Sequence, residues 1–162
     1  MEQRNIIATA ALLDEFRNHL RMTSTDMDAI LSQSLEVGIL RAEHEVGSVI
    51  ALSQFTVRMP FSPTLSLRGP VLEVSSVKVD GVTVPAASYS FDEWSLTFGE
   101  GITGESVEVA YEAGRTPIPG DMKGAIFLFG GRYFNNPTDQ PEERDRTAAA
   151  NLLRAYRTWG ER

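Results

Sequence analysis

Val77-Lys78-Val79-Asp80-Gly81-Val82-Thr83 decides how the middle of this chain folds. Asp-Gly between runs of valine at alternate positions is the signal of a type I′ hairpin turn, because both central residues need positive φ and these two tolerate it. Upstream, Leu72 and Val74 are followed by Val77 and Val79, so the inward parity slips and a β-bulge is expected near Ser75-Ser76. Further out, Phe55, Val57 and Met59 alternate with Thr56 and Arg58, the period of a half-buried strand. Pro60, Pro63 and Pro70 confine Leu65 and Leu67 to a short or edge strand. Downstream, Tyr89 and Phe91 form a strand, Asp92-Glu93 a turn, and Trp94, Leu96 and Phe98 the next strand. Gly99 to Gly104 is a loop, and Val107, Val109 and Tyr111 make the last strand, which ends at Ala113-Gly114. The four strand aromatics Tyr89, Phe91, Trp94 and Phe98 are expected in the core. A β-region thus spans residues 51–113.

Helical periods flank it. Leu13, Phe16 and Leu20 share one face of a helix over 9–21, with Thr9 as its N-cap. Thr25 and Asp28 read as a capping box for a second helix over 25–46, whose stripe is Met27, Ile30, Leu31, Leu35, Ile39, Ala42 and Val46. Gly38 within it costs about 1 kcal/mol against alanine and marks close approach of another backbone. Gly47 is the C-cap. The two helices should pack as an αα-hairpin. After Pro117 and Pro119, a third helix over 120–134 carries Met122, Ile126, Phe129 and Tyr133, is weakened by Gly130-Gly131, and stops at Asn135-Asn136-Pro137. A fourth, from Pro141 to Trp159, is apolar only in its second half, at Leu152, Leu153, Tyr156 and Trp159. The fold class is α+β: a helical scaffold, built of a long αα-hairpin and C-terminal helices, with an inserted antiparallel β-region. Residues 1–136 form a body and 137–162 a C-terminal helical arm.

Composition narrows the function. The 162 residues hold 15 Lys+Arg against 22 Asp+Glu, a net charge of −7, and no cysteine. Residues 1–136 carry the whole excess, with 10 basic and 17 acidic residues, while 137–162 balance at 5 and 5. An acidic chain is a poor gripper of nucleic acid, since phosphate neutralisation supplies most of that affinity. Disulfides, thiolate metal sites and cysteine nucleophiles are excluded. No apolar run approaches the ~20 residues of a membrane helix, and Met1-Glu2-Gln3-Arg4 does not open a secretory signal. His19 and His44 each stand alone on a helix, and Glu43 and Glu45 splay away from His44. There is no nucleophile elbow and no phosphate-cradling glycine loop. Carboxylate pairs such as Glu105/Glu108 and Asp92/Glu93 fall on exposed strand or turn positions. No enzyme is expected, and no cofactor or metal. Tyr156 and Trp159, flanked by Arg154, Arg157 and Arg162, are the residue types of interface hot spots; they belong either to a terminal helix packed on its own domain or to an arm docking on a partner.

The order of features resembles that of the tailed-phage head–tail connector (adaptor) family. The matching runs are Leu12-Leu13-Asp14-Glu15-Phe16-Arg17-Asn18-His19-Leu20-Arg21, then Asp26-Met27-Asp28-Ala29-Ile30-Leu31 leading to Ala42-Glu43, then Gly69-Pro70-Val71-Leu72-Glu73-Val74-Ser75-Ser76-Val77, then Val109-Ala110-Tyr111-Glu112-Ala113-Gly114 and the stretch from Pro119 to Tyr133. They cover residues 10–135. Arg115 stands where the family usually has an aromatic residue. The resemblance implies a structural virion protein without catalytic residues, found at the head–tail junction and, during assembly, in the host cytoplasm. It implies a homo-oligomeric ring, commonly dodecameric, between the portal protein and a stopper or tail-completion protein, with DNA passing without sequence-specific contact and no membrane involved. It further implies that the C-terminal segment reaches the portal, which makes Arg144, Arg146, Arg154, Tyr156, Arg157 and Trp159 the portal-docking candidates. The rival reading from the residues is a small, non-phage α+β module that binds proteins through exposed strand edges; a hydrolase built from scattered carboxylates ranks behind it.

Overall fold

The computed structural model describes residues 1–136 and 148–157, and they divide into two compact units. The class is α+β.

The first unit, residues 1–6 and 52–114, is all β. One antiparallel sheet runs β1 (Glu2–Ile6), β2 (Ser53–Pro60), β8 (Ser106–Ala113), β4 (Val71–Val79), β5 (Val82–Thr83); the other runs β3 (Thr64–Ser66), β7 (Ser95–Phe98), β6 (Tyr89–Phe91). Alternation places Phe55, Val57, Val107, Val109, Tyr111, Val77 and Val79 in the core, with Phe55 and Tyr111 stacked at 5.1 Å. Burying each such side chain contributes roughly 1.5–3 kcal/mol. Asp80 (φ 49°) and Gly81 (φ 82°) form the expected turn. The β4–β8 register shifts twice, between Val71 and Glu73 and between Val74 and Ser76, the second where the parity slip predicts it.

Strand β1 has no counterpart in the sequence pattern. Glu2-Gln3-Arg4-Asn5-Ile6 shows no apolar alternation, so its strand state comes from pairing with β2, reinforced by the Arg4 guanidinium lying 5.3 Å over the Phe55 ring. The aromatic expectation needs correction as well. Phe98 is buried, but Tyr89 and Trp94 are half-buried and Phe91 is exposed, because β6 is an edge strand of only three residues.

The second unit, residues 7–51 and 115–162, has helices as its regular elements where described. It holds α1 (Ala8–His19), α2 (Asp28–Val46), α3 (Gly120–Asn135) and α4 (Ala148–Leu153), the last running into a 3₁₀ turn at Arg154–Tyr156. The fourth helix therefore ends at Leu153 rather than continuing to Trp159, which lies outside the described residues.

Both expected N-caps are absent. α1 starts at Ala8, and Thr9 is buried inside it with Oγ1 unpaired. α2 starts at Asp28, whose carboxylate instead accepts from Arg17 Nε and Nη2 at 2.8–3.1 Å, bridging the two helices. The buried face of α1 is Leu12 and Phe16, with Leu13 half out. In α2 the buried stripe begins at Leu31; Met27 precedes the helix and Ile30 points out.

Gly38 behaves as its position predicts. A Cβ there would run into the Ile126 carbonyl oxygen and come within 2.8 Å of the Gly130 nitrogen. The counterpart is Gly130, where a Cβ would lie 2.9 Å from the Ser34 carbonyl oxygen and 3.0 Å from the Phe16 ring. The glycine that lowers the intrinsic propensity of α3 is thus what lets α2 and α3 touch backbone to backbone. Gly47 (φ 80°) ends α2, and buried Glu43 accepts from the Ile50 and Ala51 amides at 2.9 and 3.1 Å, tying the helix to the chain that leaves it.

Candidate docking site

Of the six docking candidates, Arg144, Arg146 and Trp159 lie outside the described residues. The other three come directly after α4. This helix is anchored by buried Ala149, Ala150 and Leu153, with Leu152 Cδ1 3.6 Å from where a Cβ of Gly124 in α3 would stand. This packing of Ala148–Leu153 fixes the position of Arg154, Tyr156 and Arg157. Arg154 is exposed and Tyr156 half-buried. Arg157 turns back onto α2, where its Nη2 donates to Glu45 Oε2 at 2.8 Å, the two side chains being 23% and 15% exposed. Its Nε is buried and has no hydrogen-bond partner among the described residues.

Ala150, Asn151, Arg154 and Arg157 line a concave cavity of about 310 Å³. Among the described residues its polar lining is the Asn151 amide and the guanidiniums of Arg154 and Arg157, the latter already paired with Glu45. Such a notch is suited to a carboxylate, which a planar guanidinium holds through two hydrogen bonds. Sequence reasoning finds the arginines and misses Asn151 and Glu45. Asn151 has no distinguishing context, and Glu45 reaches Arg157 across a separation of 112 positions that only the fold closes.

Glu43 turns inward, Glu45 goes to Arg157 and His44 faces out, so the triplet diverges as adjacent helical positions must. Asp80 sits below the usual carboxylate range because it accepts from the Ser106 and Glu105 amides; Asp92 is lowered in the same way by Trp94 N and by Ser95. Burial pushes the Tyr111 phenol up. A second cavity, of about 180 Å³, is lined by Arg58, Lys78, Gly81, Ser106 and Glu108, with Lys78 and Glu108 paired at 3.0 Å. Among the described residues no three potential metal ligands converge, and no helix is long and apolar enough to cross a membrane.

No protein-family model matches the chain, and no curated protein matches it. Solved structures do. A chain from the neck of an empty gene transfer agent (GTA) particle, computed with C6 symmetry, superposes with a TM-score of 0.75 at 22% identity, covering 98% of this chain and 95% of that one. A chain from the neck of the native GTA particle, computed with C12 symmetry, gives 0.72 at 21% with the same coverage, and one from the native GTA virion gives 0.73 at 21%. The chain has the fold of a GTA neck component. The match runs through both units, so the helical scaffold with its β-insertion is the shared architecture, in agreement with the resemblance to head–tail connectors.

Proposed function

We infer that this protein is a structural component of a virion neck. It forms a ring at the head–tail junction between the portal and a stopper or tail-completion protein, and DNA passes through that ring. The observation carrying this reading is the fold likeness over 98% of the chain to components of GTA necks with C6 and C12 symmetry. Within it, residues 137–162 act as the arm that meets the portal, with Arg154, Tyr156 and Arg157 among the contacts. The virion is its site of action and the host cytoplasm its site of assembly. It acts by positioning neighbours and not by catalysis.

Charge fits the role. Twelve copies at −7 would carry about −84, and an acidic ring repels phosphate instead of holding it. Acidic side chains are accordingly expected along the channel, and a lumen ringed by arginines would contradict this account. Mass photometry of the full chain mixed with its cognate portal tests the assignment: a stable complex of multiple copies per portal is expected. A chain that remains monomeric beside the portal would instead favour the module that acts through strand edges, for which β1 and β6 supply exposed edges.

A further inference from the structure

We propose that Asp80-Gly81, at the tip of the β4–β5 hairpin, is a latent site of isoaspartate formation that the fold keeps closed, and that Gly104 is the residue that leaves room for the closure. The inference goes beyond the neck reading and stands on the β unit alone.

This is the one Asp-Gly pair in the chain, which has no Asn-Gly. A glycine places no side chain in the way of its own amide, so its nitrogen can reach the carboxyl carbon of a preceding aspartate. Both residues are exposed, and a Cβ at Gly81 would meet nothing within 4 Å. Among the described residues, neither burial nor crowding covers the pair. What restrains it is the start of β8. Asp80 Oδ1 accepts from the Ser106 amide at 2.8 Å and from the Glu105 amide and the Ser106 hydroxyl at 3.2 Å, and Oδ2 accepts from the Glu105 amide at 3.1 Å. These bonds hold the carboxyl below its ordinary range, so at neutral pH it is a carboxylate, a far poorer electrophile than the acid. The Asp80 amide donates to the Ser106 carbonyl at 2.9 Å, which pins the backbone of the same residue. Gly104 lies against this clasp: a Cβ there would run into Val79 Cγ1 and come within 2.8 Å of Asp80 Oδ2.

Released from those donors, the pair has a path that needs only water. The Gly81 nitrogen loses its proton and bonds to Asp80 Cγ while a carboxyl oxygen leaves as water, closing a succinimide. Water then opens the ring at the main-chain carbonyl carbon of Asp80, and the chain continues through Cγ. The product has the same composition, one more atom in its backbone, and its carboxylate attached directly to Cα. The hairpin loop is set by Asp80 (φ 49°) and Gly81 (φ 82°), so an extra backbone atom there breaks the Val79–Val82 pairing. The displaced carboxylate also leaves the amides of Glu105 and Ser106. The clasp thus guards the register that it helps to build.

The experiment ages the full chain at neutral pH and measures isoaspartate by enzymatic methylation, with the site assigned by peptide mass spectrometry. The samples are folded wild type, wild type unfolded in urea, G104A and S106A. Isomerisation at Asp80 is expected to run at least tenfold faster in urea than in the folded chain. G104A that still melts cooperatively should isomerise at least fivefold faster than folded wild type, because its Cβ drives the carboxylate off the amides. S106A removes the hydroxyl donor alone and should be about twofold faster; it carries the test where G104A does not fold. Equal rates in urea and in the folded chain would overturn the proposal, since the fold would then give no protection. A folded G104A no faster than wild type would also overturn it, as would an unaccelerated S106A where G104A does not fold, because general rigidity and not the clasp would be the restraint. Acceleration confined to other aspartates would count the same way. None of these outcomes bears on the neck reading.

Discussion

The β unit and the helical unit reach a packed core by different means. In the β unit the code is local: alternation puts every second residue of β2 and β8 inside, and an Asp-Gly pair turns the chain. In the helical unit the decisive contact is between two glycines that are far apart in sequence, Gly38 and Gly130, where α2 and α3 meet at the backbone. A strand pattern fixes which face is buried; a helix pattern leaves the partner and the crossing point open until both helices are present.

This contrast predicts where substitution costs most. Gly38→Val should destabilise by about 3 kcal/mol or more, because the added Cβ meets a backbone carbonyl that has no rotamer to yield. Hydrogen exchange should show lost protection in residues 28–46 and 120–135, with the β2–β8 ladder much less affected. Equal loosening of both units would erase the distinction drawn between them. Next in size is Glu43→Ala, which removes the carboxylate that accepts from the buried Ile50 and Ala51 amides and should cost about 2–4 kcal/mol in chemical denaturation. Glu43→Gln retains an acceptor oxygen and should cost clearly less.

A third test concerns pH and the β unit. The Asp80 carboxyl is lowered by the Ser106 and Glu105 amides, so the native chain binds fewer protons there than the unfolded one. Its stabilisation is complete above the ordinary carboxylate range and is lost as pH falls through the lowered value. Asp80→Asn, which keeps the turn, should therefore melt below wild type at pH 7, and the gap should close as the pH drops below about 4. A gap that stays constant into acid would show that the charge is not what the loop amides read. The smallest effect belongs to the helical surface. Lys123 pairs with Glu15 at 2.8 Å, but both side chains reach solvent, so Lys123→Ala should cost about 0.5 kcal/mol or less and be further masked by salt.

These same features show how much of the fold is legible in the sequence. The Asp80-Gly81 turn, the bulge at Val74/Ser76 and the tight approach at Gly38 are all readable, since each depends on residues with narrow backbone options. Strand β1 is hidden because an edge strand of polar residues takes its conformation from its neighbour. The caps expected at Thr9 and Thr25 do not form because tertiary packing draws Thr9 into the core and Arg17 captures Asp28. At the candidate docking site, Arg154, Tyr156 and Arg157 stand out by residue type. Their grouping with Asn151 and Glu45 depends on α4 folding back onto α2 and α3, which no local pattern announces.

The central claim is that this chain works as a ring-forming spacer in a neck. Negative-stain imaging of the protein mixed with its cognate portal tests it most directly. The account predicts an added annular layer, coaxial with the portal, bearing rotational symmetry and an open axial channel. Portals imaged bare beside dispersed monomers would contradict it.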